Sequence, residues 1–371
     1  MKEVFEIGKP DYKHSILNLT NSVLKHYGAE FHHETLPMVD ELLNKQYKNV
    51  VVMVFDGMGS ENLKNILSSE SFLRSHLRDT ITSVFPATTT AATTTLCSGL
   101  SPAEHGWLGW SLHFDEVADN VNLFPNTNYS NQPAADYKVA DRYLPYKTVT
   151  WKINQQKNAE AFEVSPFGNY PVKTFDEFLG GVQEICERDG NHYIYAYWPE
   201  PDQTMHLKGV EHDASIDWIA RINLAVKELS KRLNDTLILV TADHGHIDGT
   251  NDLITEYPAI VDTLKWLPTI EPRAISFHVK EGRGEEFEQV FQKHFGESFL
   301  LYTKEQVMEE KLFGDGKVHQ KFEDFVGDYL AIGVSDVCIY NTEEEYCEFI
   351  GAHAGITKQE MMVPLIVIEC V

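Results

Sequence analysis

The sequence predicts an α/β fold with a mostly parallel central sheet, helices on both faces and a small α+β insertion. Three short apolar runs, residues 50–55 (VVVMVF), 193–198 (YIYAYW) and 237–241 (LILVT), have the length and continuity of strands buried on both faces. Helical patterns separate them: Leu63, Ile66 and Leu67 share a face, Thr174–Glu177 reads as a capping box ahead of Phe175, Phe178, Leu179, Val182 and Ile185, and residues 215–233 are amphipathic. Strand, helix, strand at this spacing implies parallel crossovers, and in such sheets ligands bind beyond the carboxyl ends of the strands.

Taken in order, residues 1–48 are polar with helical patches, and residues 83–106 carry a threonine-rich run. Residues 107–144 show no period and read as a long excursion over the surface or the site mouth. Residues 148–153 read as a strand. From 267 to 325 the texture changes, with strands over 274–279 and 299–302 and helices over 285–295 and 304–309. This sets a core of residues 1–266 and 326–371 against an insertion, 267–325, that serves as lid or interface. Strands over 329–332 and 363–368 return the chain to the core.

Composition narrows the partners. A chain of 371 residues with a formal net charge of -25 lacks the basic face that a nucleic-acid polymer requires. No run of about 18 apolar residues spans a membrane, and no signal-like segment opens the sequence. The five cysteines form no CxxC pair, which suits a reducing compartment. The expectation is a cytoplasmic protein acting on a small molecule, with a homo-oligomer compatible.

The chemistry-bearing residues gather at the predicted strand ends. Asp56 closes the first strand, Asp202 and His206 follow the second one helical turn apart, Asp243-His244-Gly245 follows the third, and His353 sits in Gly351-Ala352-His353-Ala354-Gly355. Six carboxylate and imidazole groups suffice for two divalent ions, and three histidines among them favour zinc, with manganese the alternative. The threonines of residues 88–90 stand where a helix begins, a position favouring an anion, and a hydroxyl there needs a base or metal to act as nucleophile. His246 and Asp248 read as turn residues.

In this order, Asp56, Phe85-Pro86-Ala87-Thr88-Thr89, Asp202-x-x-x-His206, Thr241-Ala242-Asp243-His244-Gly245 and His353 resemble the nucleotide pyrophosphatase/phosphodiesterase branch of the alkaline phosphatase superfamily. The resemblance implies an alkaline-phosphatase-like sheet and a nucleophile three residues after the proline, at Thr89, with Thr88 and Thr90 its neighbours. It implies one zinc on Asp202, His206 and His353, a second on Asp56, Asp243 and His244, and hydrolysis of phosphate esters through a phospho-threonine. The chain departs from the family at His105-Gly106-Trp107-Leu108-Gly109-Trp110, where many members hold a phosphate oxygen with an asparagine. Thr90, Trp107, Trp110 and Lys208 are the expected substrate contacts, with Trp198 a further aromatic candidate. A phosphomonoesterase or phosphomutase of the same superfamily is the nearest alternative, and a non-catalytic metal-binding protein the more distant one. A sulfatase would need a cysteine or serine motif that is missing here.

Overall fold

The computed structural model describes residues 5–371. Its main sheet has seven strands in the order Leu77–Thr82, Met362–Cys370, Thr236–Thr241, Asn49–Phe55, His192–Trp198, Glu160–Ser165 and Tyr170–Pro171. The five from Thr236–Thr241 to Tyr170–Pro171 run parallel. Met362–Cys370 runs antiparallel to both its neighbours. All seven residues of Asn49–Phe55 and of His192–Trp198 are buried, as continuous apolar strands covered on both faces should be.

Alternation along the strands assigns the two faces. Phe55 and Trp198, in register, meet Phe175 and Phe178 of the helix Phe175–Glu187. Tyr193 points the other way, against Tyr27 beyond the helix Ile16–His26, which packs on the helix Thr89–Ser98. Helices therefore cover both faces. Among the described residues no helix is long and apolar enough to cross a membrane.

Two expectations change. Residues 148–153 are not a strand: Thr148 Oγ1 accepts a hydrogen bond from Trp151 N and caps the helix Val149–Gln156. The β-branched residues there bury Val149 and Ile153 at helical spacing, and this outweighs their strand propensity. The strand in this part of the chain is Glu160–Ser165. Residues 107–144 are not a structureless excursion either, since they hold the hairpin Ser111–Phe114 and Asp119–Asn122 and the helix Val139–Tyr143. Buried asparagines, Asn120 and Asn122, hid the strand period.

That hairpin belongs to a second, antiparallel sheet in the order Phe299–Thr303, Tyr329–Gly333, Ala274–Phe277, Thr269–Ile270, Ser111–Phe114 and Asp119–Asn122. The second sheet thus draws strands from beyond both ends of 267–325. The helix Gly284–Phe295 seals one part of it with Phe287, Phe291 and Phe295 packed around Phe277 and Phe299. A two-residue ladder, Gly351–Ala352 against Ile247–Asp248, brings residue 353 back to the carboxyl end of the main sheet.

Candidate active site

Three strand ends and that ladder converge. Asp56 follows Asn49–Phe55, Asp202 opens the helix Asp202–Lys208 after a turn from His192–Trp198, and Asp243-His244 follow Thr236–Thr241. Backbone bonds tie these turns to one another: Asp202 N donates to Asp56 O at 3.0 Å, and Gly57 N donates to Asp243 Oδ1 at 3.2 Å. Gly57 has φ +71°, and a Cβ there would lie 3.0 Å from Asp202 Cβ, so the turn needs glycine. At Gly245 a Cβ would fall 1.9 Å from Gln359 O, because the backbone before Glu360 passes directly over the Asp243-His244 turn.

The carboxylates and imidazoles meet at short range. Asp202 Oδ1 lies 2.8 Å from His246 Nε2, 3.5 Å from His206 Nε2, 3.9 Å from His353 Nε2 and 4.0 Å from His244 Nε2. His244 Nε2 is 3.2 Å from Asp56 Oδ1 and 3.7 Å from Asp243 Oδ2. Asp202, His206, His246 and His353 form one potential metal-holding group, and Asp56, Asp202 and His244 another. All six expected ligands are thus brought together, and His246, read as a turn residue, joins them. Only its place directly after His244-Gly245 could have signalled this.

The donor set fits divalent cations. His206, His244 and His353 each place Nδ1 beside a backbone carbonyl, that of Gly351 at 2.8 Å, Gly245 at 3.1 Å and Ala87 at 3.2 Å. Donation from Nδ1 fixes the tautomer that leaves the Nε2 lone pair facing the carboxylates, the usual arrangement of metal-binding histidines. Asp243 Oδ2 is buried without a hydrogen-bond partner. Burial, reinforced by Asp202, pushes the Asp56 carboxyl well up, and burial with the Asp56 charge does the same to Asp243. Burial would raise Asp202 too, but His206, His246 and His353 around it hold it well below the ordinary carboxylate range. Burial lowers His246 to about 4 and His353 further below its usual value. Close-set buried carboxylates and imidazoles are stabilised by added positive charge, and no Lys or Arg side chain forms an ion pair with them among the described residues.

Thr89 is the first residue of the helix Thr89–Ser98, behind the N-cap Thr88. Its Oγ1 stands 3.1 Å from His244 Nε2 and 3.4 Å from both oxygens of Asp56, while Tyr197 donates its hydroxyl to Asp56 Oδ2. Thr88 faces elsewhere: its Oγ1 donates to Glu271 Oε1 at 2.6 Å, and Trp110 N donates to the same oxygen at 2.8 Å. Neither Tyr197 nor Glu271 carried a signal in the sequence, since one lies inside an apolar strand and the other on a turn of the second sheet.

A cavity of about 810 Å³ opens over Thr89, Asp56, Asp202, His206 and His353. Trp110 lines its mouth, 39% exposed and edge-on to Phe124. The other expected substrate contacts lie elsewhere. Trp107 is core, with its Nε1 donating to Leu144 O; Thr90 is fully buried within its helix; Lys208 is exposed and outside the cavity lining. Trp198 packs on Phe175 and Phe178 on the opposite sheet face.

Glu271 gives a stability test. Burial raises its carboxyl to about 7 against Thr88 and Trp110 N, which lower it. A folded value above the unfolded one makes a stabilising contribution that is complete below about 4.5 and lost as pH rises through about 7. Denaturant titrations from pH 4.5 to 8 should therefore show wild-type stability falling relative to Glu271→Gln. Parallel profiles would contradict the buried setting.

An alkaline-phosphatase-like α/β sheet with this cluster at its carboxyl edge defines the class of protein. The chain belongs to the type I phosphodiesterase / nucleotide pyrophosphatase family, whose sequence pattern matches residues 50–355. No protein of curated function matches it. Among solved structures it is similar to murine ectonucleotide pyrophosphatase / phosphodiesterase 5, at 18% identity and TM-score 0.62, over 85% of this chain and 87% of that one. An inactive variant of that murine protein, with threonine replaced by alanine and AMP bound, gives 19% identity and TM-score 0.63 over the same shares. The human counterpart gives 16% identity and TM-score 0.64 over 86% of this chain and 87% of that one.

Proposed function

We propose that the chain is a two-metal hydrolase of phosphodiester or nucleotide pyrophosphate bonds, working through a phospho-threonine on Thr89. The observation that carries this reading is the Thr89 hydroxyl, set 3.1 Å from His244 Nε2 and 3.4 Å from Asp56 at the floor of the cavity. The murine relative that is inactive as a threonine-to-alanine variant and holds AMP supports it.

Asp202, His206 and His353 would hold one ion, and Asp56, Asp243 and His244 the other, zinc being favoured by the imidazoles. Such ions lower the pKa of a bound hydroxyl, as zinc lowers that of water from 15.7 to about 7, and neutralise phosphoryl oxygens. The residues do the rest. Thr89 Oγ1 gives up its proton to water in the cavity and attacks phosphorus; the Oγ1–P bond forms as the bond to the leaving alcohol or phosphate oxygen breaks, and a leaving alkoxide takes a proton from water. Free N–H groups of the first turn of Thr89–Ser98 face the non-bridging oxygens. Tyr197, bonded to Asp56, fixes that carboxylate beside the nucleophile. Water then cleaves the Oγ1–P bond and restores Thr89.

The cavity lining favours a monoanionic substrate. Among the described residues it carries Asp56, Asp141, Glu163, Asp202, Glu271 and Glu345 against one Lys or Arg, Lys138, whose Nζ donates to Phe124 O at 3.2 Å. A phosphomonoester approaches two negative charges at neutral pH, a diester one. On metal-loaded protein, kcat/KM for bis(p-nitrophenyl) phosphate should exceed that for p-nitrophenyl phosphate, and chelation should abolish both. A monoester preference of tenfold, about 1.4 kcal/mol, would turn the reading to a phosphomonoesterase. Activity indifferent to chelators would remove the metals from it.

A further inference from the structure

His246 is held more firmly than a turn residue needs to be. Its N donates to Asn62 Oδ1 and its O accepts from Asn62 Nδ2, both at 3.0 Å, so one buried side chain grips the backbone from two sides. Two glycines flank the buried ring. A Cβ on Gly57 would lie 3.1 Å from His246 Cδ2, and one on Gly351 would lie 2.9 Å from Nδ1. Side chains at these positions would push the ring off its line to Asp202.

The ring meets one particular oxygen of that carboxylate. Asp202 Oδ1 is the atom that His206 Nε2 approaches to 3.5 Å, His353 Nε2 to 3.9 Å and His246 Nε2 to 2.8 Å. Ligand atoms of a single ion lie within about 4.2 Å of one another, twice a bond of about 2.1 Å, and all three separations fall inside that limit. His206 and His353 have Nδ1 tied to backbone carbonyls, so their Nε2 lone pairs are turned to this oxygen. A histidine that only oriented Asp202 would bond the oxygen facing away from those lone pairs, as outer partners of a ligating carboxylate do. His246 shares the oxygen they face. Among the described residues its Nδ1 is buried with no partner, a cost that a coordinate bond at Nε2 offsets better than one hydrogen bond does.

We propose that His246 is a direct ligand of the ion at Asp202, so that this site consists of three imidazoles and one carboxylate. The inference rests on the two-metal reading and goes beyond it, since that reading gives the ion three groups. Catalytic zinc sites usually present three protein ligands and an open position. With a fourth group in place, substrate or water enters only as a fifth ligand.

The test uses the full chain and needs no turnover. In cadmium NMR of wild type carrying isotope-labelled histidine, one cadmium resonance is expected to couple to three imidazole nitrogens. Coupling to two at most overturns the proposal and leaves the two-metal reading standing; if cadmium binds nowhere, both fall. Two substitutions then separate coordination from hydrogen bonding. His246→Glu keeps a ligand atom and loses the N–H donor, whereas His246→Gln keeps an N–H donor and offers a poorer ligand. In calorimetric titrations of zinc into chelator-stripped protein, His246→Gln is expected to lose more than the roughly 10–100-fold in affinity that removal of an outer partner costs, and His246→Glu to stay within about tenfold of wild type. A loss in His246→Gln no larger than that range, or an equal loss in His246→Glu, overturns the proposal. An inactive protein that passes these tests would refute the hydrolase reading alone.

Discussion

Thr89→Ala is expected to lower kcat on bis(p-nitrophenyl) phosphate by about 10³-fold or more, about 4 kcal/mol in barrier terms, while metal content and thermal midpoint stay at wild-type levels. The substitution removes a hydroxyl that lies within 3.4 Å of both Asp56 and His244. It removes little packing, since the partly exposed side chain faces the cavity. Thr88→Ala and Thr90→Ala are the controls. Thr88 donates to Glu271 and Thr90 is buried, so neither reaches the reacting phosphorus. Near wild-type turnover in Thr89→Ala with a dead Thr88→Ala would move the nucleophile by one residue.

The second large effect lies under the site. Arg273 and Glu360 are both fully buried and paired twice, Nε to Oε1 at 2.7 Å and Nη2 to Oε2 at 2.9 Å, with Arg273 Nη1 donating to Val337 O. Glu360 also accepts from Gly355 N at 2.7 Å and from Thr357 Oγ1 at 2.6 Å, and its carbonyl accepts from Gly245 N at 2.8 Å. One ion pair therefore links the second sheet, the loop carrying His353 and the turn carrying His244. Glu360→Gln leaves the guanidinium buried without its counter-ion, a loss of about 3–5 kcal/mol, and should lower both the thermal midpoint and metal retention. Replacing both partners by methionine should recover much of the midpoint, since a buried pair is often no better than apolar residues of similar volume. A single variant melting with wild type would show that the pair does not hold these loops.

The sequence made the parallel core readable because its strands are covered on both faces, so that residues 50–55, 193–198 and 237–241 are uninterrupted apolar runs. It made the candidate ligands readable because they follow those strands directly, as Asp56 and Asp243-His244 do. Elements with polar faces were hidden: Leu77–Thr82 is a half-buried edge strand, and Asn120 and Asn122 masked a hairpin. Residues 148–153 carry β-branched side chains that fit a strand, whereas Thr148 caps a helix. Glu271, Tyr197 and Glu163 reach the cavity from three separate elements, and their roles depend on tertiary placement with no local pattern to mark it. Trp107 and Lys208 failed as contacts for the same reason, since proximity in sequence to a ligand does not fix the direction of a side chain.

The position of Met362–Cys370 inside the sheet, between Leu77–Thr82 and Thr236–Thr241, has a consequence for how the molecule is made. Its partners are separated from it by well over a hundred residues, and the second sheet likewise joins 111–122 to 269–333. Contacts of such range make folding slow, because loop closure must precede the interactions that reward it. Until residues 362–370 arrive, Thr236–Thr241 presents an open apolar edge, a template for pairing with another chain. His353 is also missing until late, so the aspartate–histidine cluster assembles only after residue 353 has been made. Shielding of that edge during synthesis, more than the final stability, would then govern how much protein reaches the active form.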